Sequence, residues 1–185
     1  MNKVRVATAE DAEAILQIYA PHIRQTAVTF DEHVPDVSEV RQLITERLKT
    51  FPWLVAVNDT DNEGAVVGYA YASSHRPRDS YRWSVDTSIY IDSSHQRRGI
   101  GRLLYQHLLP IVQRQGYRMA HAGVTLPNEA SVKLHESLGF QLAGVFPKVG
   151  FKLGTWHDVG WWHLDLAPTT GDAPMAETTP FADLR

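Results

Sequence analysis

Seven residues, Gln96-Arg97-Arg98-Gly99-Ile100-Gly101-Arg102, carry the clearest chemical signal in the chain. They stand between an apolar run ending in Ile89-Tyr90-Ile91 and a run with helical periodicity, and so form a basic, glycine-containing turn from strand to helix. Backbone N–H groups at a helix start lack intrahelical partners and sit at the positive end of the helix dipole. A turn without bulky side chains at that point can hold an anion. The pattern reads either as a pyrophosphate cradle, with Gly99 and Gly101 giving access, or as a plain tight turn. A P-loop would need a lysine and a hydroxyl after its last glycine, and a dinucleotide fold would need G-x-G-x-x-G at its first strand. Neither is present.

Composition narrows the ligand further. The 185 residues are 43% hydrophobic, enough for one well-cored domain and short for two. Net charge is −3 and the basic residues are scattered outside the turn, which argues against a nucleic-acid surface and favours a small anionic ligand. The chain has no cysteine, which excludes disulfides, thiolate metal sites and a cysteine nucleophile. The first residues lead into no apolar signal segment and no run has the length of a membrane span, so the expected compartment is the cytoplasm.

The remaining elements must position the turn. Val4 and Val6 alternate with polar neighbours as a short strand, and Thr8 stands as N-cap to a helix marked by Ala12, Ile15, Leu16 and Tyr19, which Pro21 should end. Asp36 and Glu39 form a capping-box pattern for Val37, Val40, Leu43, Ile44 and Leu48, and Phe51-Pro52 stops that helix. Residues 53–57 and 65–73 are strand-like and joined by the polar connector 58–64, so they pair antiparallel, and residues 81–92 make a third strand. Ile100, Leu103, Leu104, His107, Leu108, Ile111 and Val112 mark one face of the helix after the turn, with Pro110 expected to kink it. A strand over 119–124 then completes a parallel β-α-β unit with the turn at its carboxyl edge, where open α/β sheets place ligands. A helix over 128–138, a strand over 140–145 and a Trp- and Gly-rich hairpin over 149–166 finish a mixed, mostly antiparallel sheet. The expectation is one α/β (α+β) domain over 1–166 and a flexible tail over 167–185.

Gln96-Arg97-Arg98-Gly99-Ile100-Gly101 resembles the acyl-CoA signature Q/R-x-x-G-x-G/A of the GCN5-related N-acetyltransferases (GNAT), and the order of elements is similar to theirs over residues 3–166. The likeness tightens at Trp83-Ser84-Val85-Asp86-Thr87-Ser88-Ile89-Tyr90-Ile91, at Leu126-Pro127-Asn128-Glu129-Ala130-Ser131-Val132-Lys133-Leu134-His135-Glu136, and at Gly150-Phe151-Lys152 with Trp156-His157-Asp158-Val159-Gly160-Trp161-Trp162. Together these resemble the phosphinothricin acetyltransferase branch, whose relatives acetylate methionine sulfoximine, methionine sulfone or arsinothricin. The resemblance implies a GNAT fold, acetyl-CoA as co-substrate without a metal, direct transfer in a ternary complex, and a homodimer.

It also implies roles. Ile89, Tyr90 and Ile91 would offer backbone groups to the pantetheine arm, and Gln96, Arg97, Arg98, Gly99, Ile100, Gly101 and Arg102 would wrap the pyrophosphate. Asn128 would contact the cofactor arm, act as an ordinary helix N-cap, or do both. An amino acid's ammonium must lose a proton before it attacks, and Asp86 stands where the branch usually shows glutamate. Strand alternation places Asp86 on one face with Ser84, Ser88 and Tyr90, either as a base, direct or through water, or as a locally paired carboxylate. His135 stands where many relatives carry a proton-donating tyrosine, so it either protonates the CoA thiolate or packs with a satisfied ring. Arg76, Arg78, Tyr81, Phe30 and Thr125 are the candidates for substrate binding, since arginines fork onto a carboxylate or phosphinate and aromatic rings wall a slot.

His157-Asp158 with His163 matches no metal-ligand spacing, and Trp156, Trp161 and Trp162 read as core or subunit contact. The leading expectation is an acetyl-CoA-dependent N-acetyltransferase of a small amino-acid analogue. A polyamine or protein N-terminus as acceptor, and a non-catalytic CoA-binding module, are the alternatives. Whether the activity serves detoxification, as in herbicide resistance, or metabolism stays open.

Overall fold

In the computed structural model, which describes residues 2–58, 64–167 and 175–184, seven strands form one sheet in the order β1-β2-β3-β4-β5-β7-β6. The strands are β1 (Asn2–Val6), β2 (Trp53–Asn58), β3 (Val66–Ser74), β4 (Ser84–Ile91), β5 (Met119–Leu126), β6 (Gln141–Lys152) and β7 (Thr155–Asp165). Only β4 and β5 run parallel; every other neighbouring pair is antiparallel. The antiparallel pairing of β2 with β3 is as expected, and the connector residues 59–63 lie outside the described residues.

Four helices cover the two faces: α1 (Ala12–Gln25), α2 (Val37–Thr50), α3 (Ile100–Arg114) and α4 (Glu129–Ser137). Ile15, Ile18, Val40 and Ile44 of α1 and α2 pack on Trp53, Val55 and Tyr69 of the sheet. On the opposite face Leu104, Tyr105, Leu108 and Val112 of α3 pack on Val85, Ala120, Ala122 and Trp162. Period-two alternation along β4 therefore sends Val85 to the α3 face and Tyr90 to the α1 face.

Local chemistry fixes the ends. The Asp36 carboxylate accepts from Glu39 N at 2.9 Å while the Glu39 carboxylate accepts from Asp36 N at 2.7 Å, the reciprocal cap expected for α2. Pro21 does not end α1, which continues to Gln25 and stops where Thr26 Oγ1 donates to the His22 carbonyl. Pro21 and Gln17 face solvent, so the carbonyl that the missing N–H leaves unpaired can be hydrated. On α3, His107 is exposed and Tyr105 takes the buried position instead.

Two strand boundaries differ from the sequence reading. Residues 79–81 form a short 3₁₀ turn, so β4 begins only at Ser84. β6 runs unbroken through Pro147 because a bulge absorbs it: Phe146 pairs Val159, Gly150 pairs His157, and Asp158 alone faces the three residues between them, two more than a regular ladder would hold. The Asp158 carboxylate accepts from Lys148 N at 2.7 Å inside that bulge.

Of the stretch expected to be a flexible tail, residues 168–174 and 185 lie outside the described residues, and 175–184 lie against the body. Thr179 N donates to the Gln115 carbonyl at 2.7 Å, Gln115 Nε2 donates back to the Thr179 carbonyl at 2.9 Å, and Phe181 is buried. Trp83 Nε1 donates to the Ala176 carbonyl, which ties the segment to the start of β4. The α3 interface dominates the core under the sheet, and Leu104→Ala should cost about 2–5 kcal/mol of unfolding free energy, read as a lowered urea midpoint at unchanged slope.

Candidate active site

The parallel strands β4 and β5 are paired only over Ser84↔Met119, Val85↔Ala120 and Asp86↔His121. Both continue for five residues beyond that register without pairing to each other, so the sheet opens into a wedge toward their carboxyl ends. The other edge of β4 stays on β3 as far as Gly68↔Ile91. Residues 89–91 thus belong to a strand that is fixed on one side and open on the other, as an added extended chain requires. A cavity of about 60 Å³ fills the wedge, lined by Ser88, Tyr90, Gly123, Thr125, Asn128 and His135 among others.

Below one mouth of the wedge lies the basic turn. Gly99 is the N-cap of α3 with φ +78, a left-handed conformation that favours glycine, and open space surrounds the position of its absent side chain. Arg97 is also left-handed, and Arg97 and Arg98 are exposed. The first bond of α3 is donated by Leu103 to the Gly99 carbonyl, which leaves the amides of 100–102 at the helix start without intrahelical partners, the donor set an anion needs. Gly101 serves a different purpose from the access read in the sequence: a Cβ there would stand 2.9 Å from Leu134 Cδ2, so the glycine lets α3 and α4 approach. Arg102 also turns aside, donating from Nη2 to the Ser137 carbonyl at 3.2 Å.

At the apex, where pairing ends, stands Asp86. Its Oδ1 lies 2.6 Å from His75 Nδ1, and the two side chains are 23% and 14% exposed. Burial raises the Asp86 pKa, against the opposing pull of His75 and Arg76. The His75 ring stacks on His121 of β5 at 4.2 Å and meets Trp161 and Tyr81 edge-on. Burial, followed by the neighbouring charges of His75, His163 and Arg76, holds His121 down to about 4, so it is neutral at physiological pH.

His135, 3% exposed, lies on the α4 side of the wedge. Its Nδ1 is 2.8 Å from the Ser131 carbonyl and its Nε2 is 2.9 Å from the Tyr105 hydroxyl. Burial lowers its pKa. Both ring nitrogens thus have partners, a carbonyl that only accepts at Nδ1 and a hydroxyl that donates or accepts at Nε2. The ring is therefore packed with both nitrogens partnered, at the wedge where the resemblance implies a proton donor. Asn128 caps α4, accepting from Ser131 N at 3.1 Å, and also lines the wedge.

A second cavity of about 390 Å³ adjoins the wedge, sharing Val28, Gly123 and Thr125 with it and bounded by Phe30, Arg76, Phe146 and Trp161. Phe30, Arg76 and Thr125 therefore meet as expected, with the Arg76 guanidinium 5.6 Å over Trp161. Tyr81 stands behind them on His75, and Arg78 caps the 3₁₀ turn outside both linings. Among the described residues no group of three His, Asp or Glu side chains is arranged for a metal ion.

Residues 4–161 match the family described as acetyltransferase (GNAT) domain. The chain belongs to the GNAT acetyltransferase family. Phosphinothricin N-acetyltransferase of Streptomyces viridochromogenes is 36% identical over 177 residues, 96% of this chain and 94% of that protein. L-methionine sulfoximine/L-methionine sulfone acetyltransferase of Salmonella typhimurium is 34% identical over 169 residues, 88% of this chain and 94% of that one. The crystal structure of a phosphinothricin acetyltransferase from Sinorhizobium meliloti in complex with AcCoA superposes with a TM-score of 0.89 at 31% identity, covering 97% of this chain and 96% of that one.

The protein is thus a GNAT acetyltransferase, and its least legible residues lie at the apex. His75 is the first residue after β3, and His121 is aligned with Asp86 only through a parallel register that no local pattern reveals. The acetyltransferase's larger cavity depends on contacts between distant segments: Lys152 Nζ donates to the Thr29 carbonyl at 2.6 Å, and the Phe30 ring fills the space over Gly150. A methyl group at Gly150 would overlap that ring. Gly150→Ala should therefore displace Phe30 and raise the KM for the acceptor amine several-fold while leaving acetyl-CoA affinity unchanged, as steady-state kinetics on both substrates would show.

Proposed function

We propose that this acetyltransferase moves the acetyl group of acetyl-CoA to the α-amino group of a small amino-acid analogue such as phosphinothricin or methionine sulfoximine. The observation that carries the reading is the junction of two cavities at Val28, Gly123 and Thr125, one in the wedge above the anion-binding turn and one bounded by Arg76 and aromatic side chains. Two substrates entering from these sides meet beside the apex that holds Asp86. The relatives' names support the choice of acceptor.

The chain's own residues fit the donor. The open edge of residues 89–91 suits the pantetheine arm, the α3 start with Arg97 and Arg98 suits the pyrophosphate, and Asn128 faces the arm from α4. Acetyl-CoA supplies an activated thioester carbonyl. Arg76, beside Trp161, is the cation for the acceptor's carboxylate or phosphinate, and Asp86 is the negative charge toward which the ammonium proton departs. With no cysteine to carry the acetyl group as a thioester, and with the direct transfer that the family resemblance implies, the reading is transfer within a ternary complex.

The same reading includes a homodimer. β6 is the sheet edge, and Leu142, Val145, Phe151, Leu153 and Trp156 on the β6–β7 hairpin are all more than 40% exposed, an apolar surface that a second copy would cover. Sedimentation should give a dimer, and Trp156→Glu should shift it toward monomer.

A CoA-thiol release assay over phosphinothricin, methionine sulfoximine, methionine sulfone, a polyamine and a peptide with a free N-terminus tests the activity. The expected result is the highest kcat/KM on an amino-acid analogue, with Asp86→Ala slowing turnover about 100-fold or more. A higher value on the polyamine or peptide overturns the acceptor class, and CoA binding with no thiol released on any amine makes the protein a binding module.

A further inference from the structure

Asp86 itself lines neither cavity. Its carboxylate is tied to an imidazole that lies one ring from the cavity wall: His75 is edge-on to Trp161 at 5.9 Å, and Trp161 and the adjacent Arg76 line the 390 Å³ cavity. A carboxylate accepts, so at this 2.6 Å contact His75 Nδ1 carries the proton and Nε2 presents its lone pair. Nδ1 bound to a carboxylate, with the lone pair of the far nitrogen left to accept, is the arrangement in which an imidazole serves as a general base.

We infer that His75, held by Asp86, is the group that takes the proton from the substrate ammonium. The inference rests on the acceptor reading above. One proton passes from the ammonium to His75 Nε2, and the freed nitrogen lone pair forms the C–N bond at the thioester carbonyl as the C–S bond breaks. The CoA thiolate leaves and receives the second proton that the nitrogen sheds, giving the thiol, while the imidazolium returns its proton to solvent.

The groups around His75 suit this turnover. Asp86 from β4 stabilises the imidazolium, Arg76 and Tyr81 flank it from the hairpin, and Trp161 from β7 excludes water from one edge. His121 from β5 covers one ring face and, with His163 beyond it, is the remaining titratable neighbour. A stacked partner carrying its own charge would repel the incoming proton; His121 does not carry one.

Three variants and one spectrum decide the assignment. His75→Gln keeps a hydrogen-bonding side chain but cannot take the proton, so kcat/KM for the preferred amine should fall about 100-fold or more and the acid limb of the pH profile should vanish. His75→Asn serves as the second variant, with calorimetric CoA binding in both reporting an intact fold. Asp86→Asn should be slow yet keep an acid limb. Proton–nitrogen correlation spectra of histidine-labelled enzyme should show His75 as the Nδ1–H tautomer. A near-wild-type rate with an intact acid limb in His75→Gln, loss of the limb in Asp86→Asn alone, or an Nε2–H tautomer each overturns the inference. Wild-type enzyme that releases no thiol on any amine defeats the acceptor reading instead, and the tautomer then decides the pairing by itself.

Discussion

Everything in the site depends on the loss of pairing between β4 and β5 after Asp86. A sheet interior that gives up its ladder leaves backbone groups in need of partners, and each group left buried and unpaired costs a large part of a hydrogen bond. Side chains bridge the split near its apex: Thr87 Oγ1 donates to the His121 carbonyl at 3.1 Å, and Tyr105 and His135 continue the polar contacts toward α4. Further out no strand closes the gap, and an extended ligand with amide groups is the natural complement. The split therefore leaves residues 89–91 with an open edge above the start of α3.

The acceptor side obeys a second constraint, because its walls come from segments far apart in the chain. The loop after α1 and the β6–β7 hairpin meet through Lys152 on the Thr29 carbonyl and Phe30 over Gly150. The β3–β4 hairpin adds Arg76, pinned by its own Nη1 bond to the His75 carbonyl and by Trp161. The β6 bulge, anchored by Asp158, sets Phe146 and Val149 at the rim. A small change in any of these segments reshapes the slot without touching the wedge, so selectivity for the amine and binding of the donor are separable.

Much of this was legible in the sequence, because local rules decide it. The Asp36–Glu39 cap, the hydrophobic face of α3, the strand-turn-helix at Gly99 and the parallel return at Met119 all follow from period and capping. What was not legible depends on register and on solvent. Pro21 is tolerated in α1 because it faces water; Tyr81 leaves β4 because 79–81 close a turn; Pro147 is carried in a bulge that only the partner strand defines. His135 was readable as a candidate from its position, but its contacts with Ser131 and Tyr105 come from packing. Residues 175–184 look polar and unstructured in composition, yet one aromatic anchor, Phe181, and two bonds to Gln115 hold them.

The apex also explains a departure from the resemblance. Where the branch usually carries glutamate, this chain has Asp86, a carboxylate one methylene closer to its own strand and so less able to reach an amine across the wedge. The neighbouring strand supplies what the shorter side chain lacks, since Ser73↔Asp86 pairing in the β3–β4 hairpin brings His75, two residues on, beside the carboxylate. An aspartate with an imidazole spans farther than a glutamate alone and ends in a nitrogen lone pair. The exchange has a cost, because an imidazole in this place must be shielded from other charges as it gains its own. The stacking of neutral His121 beneath it, and the wall of Trp161 at its edge, meet that requirement with side chains that a local reading of β5 and β7 would treat as ordinary packing.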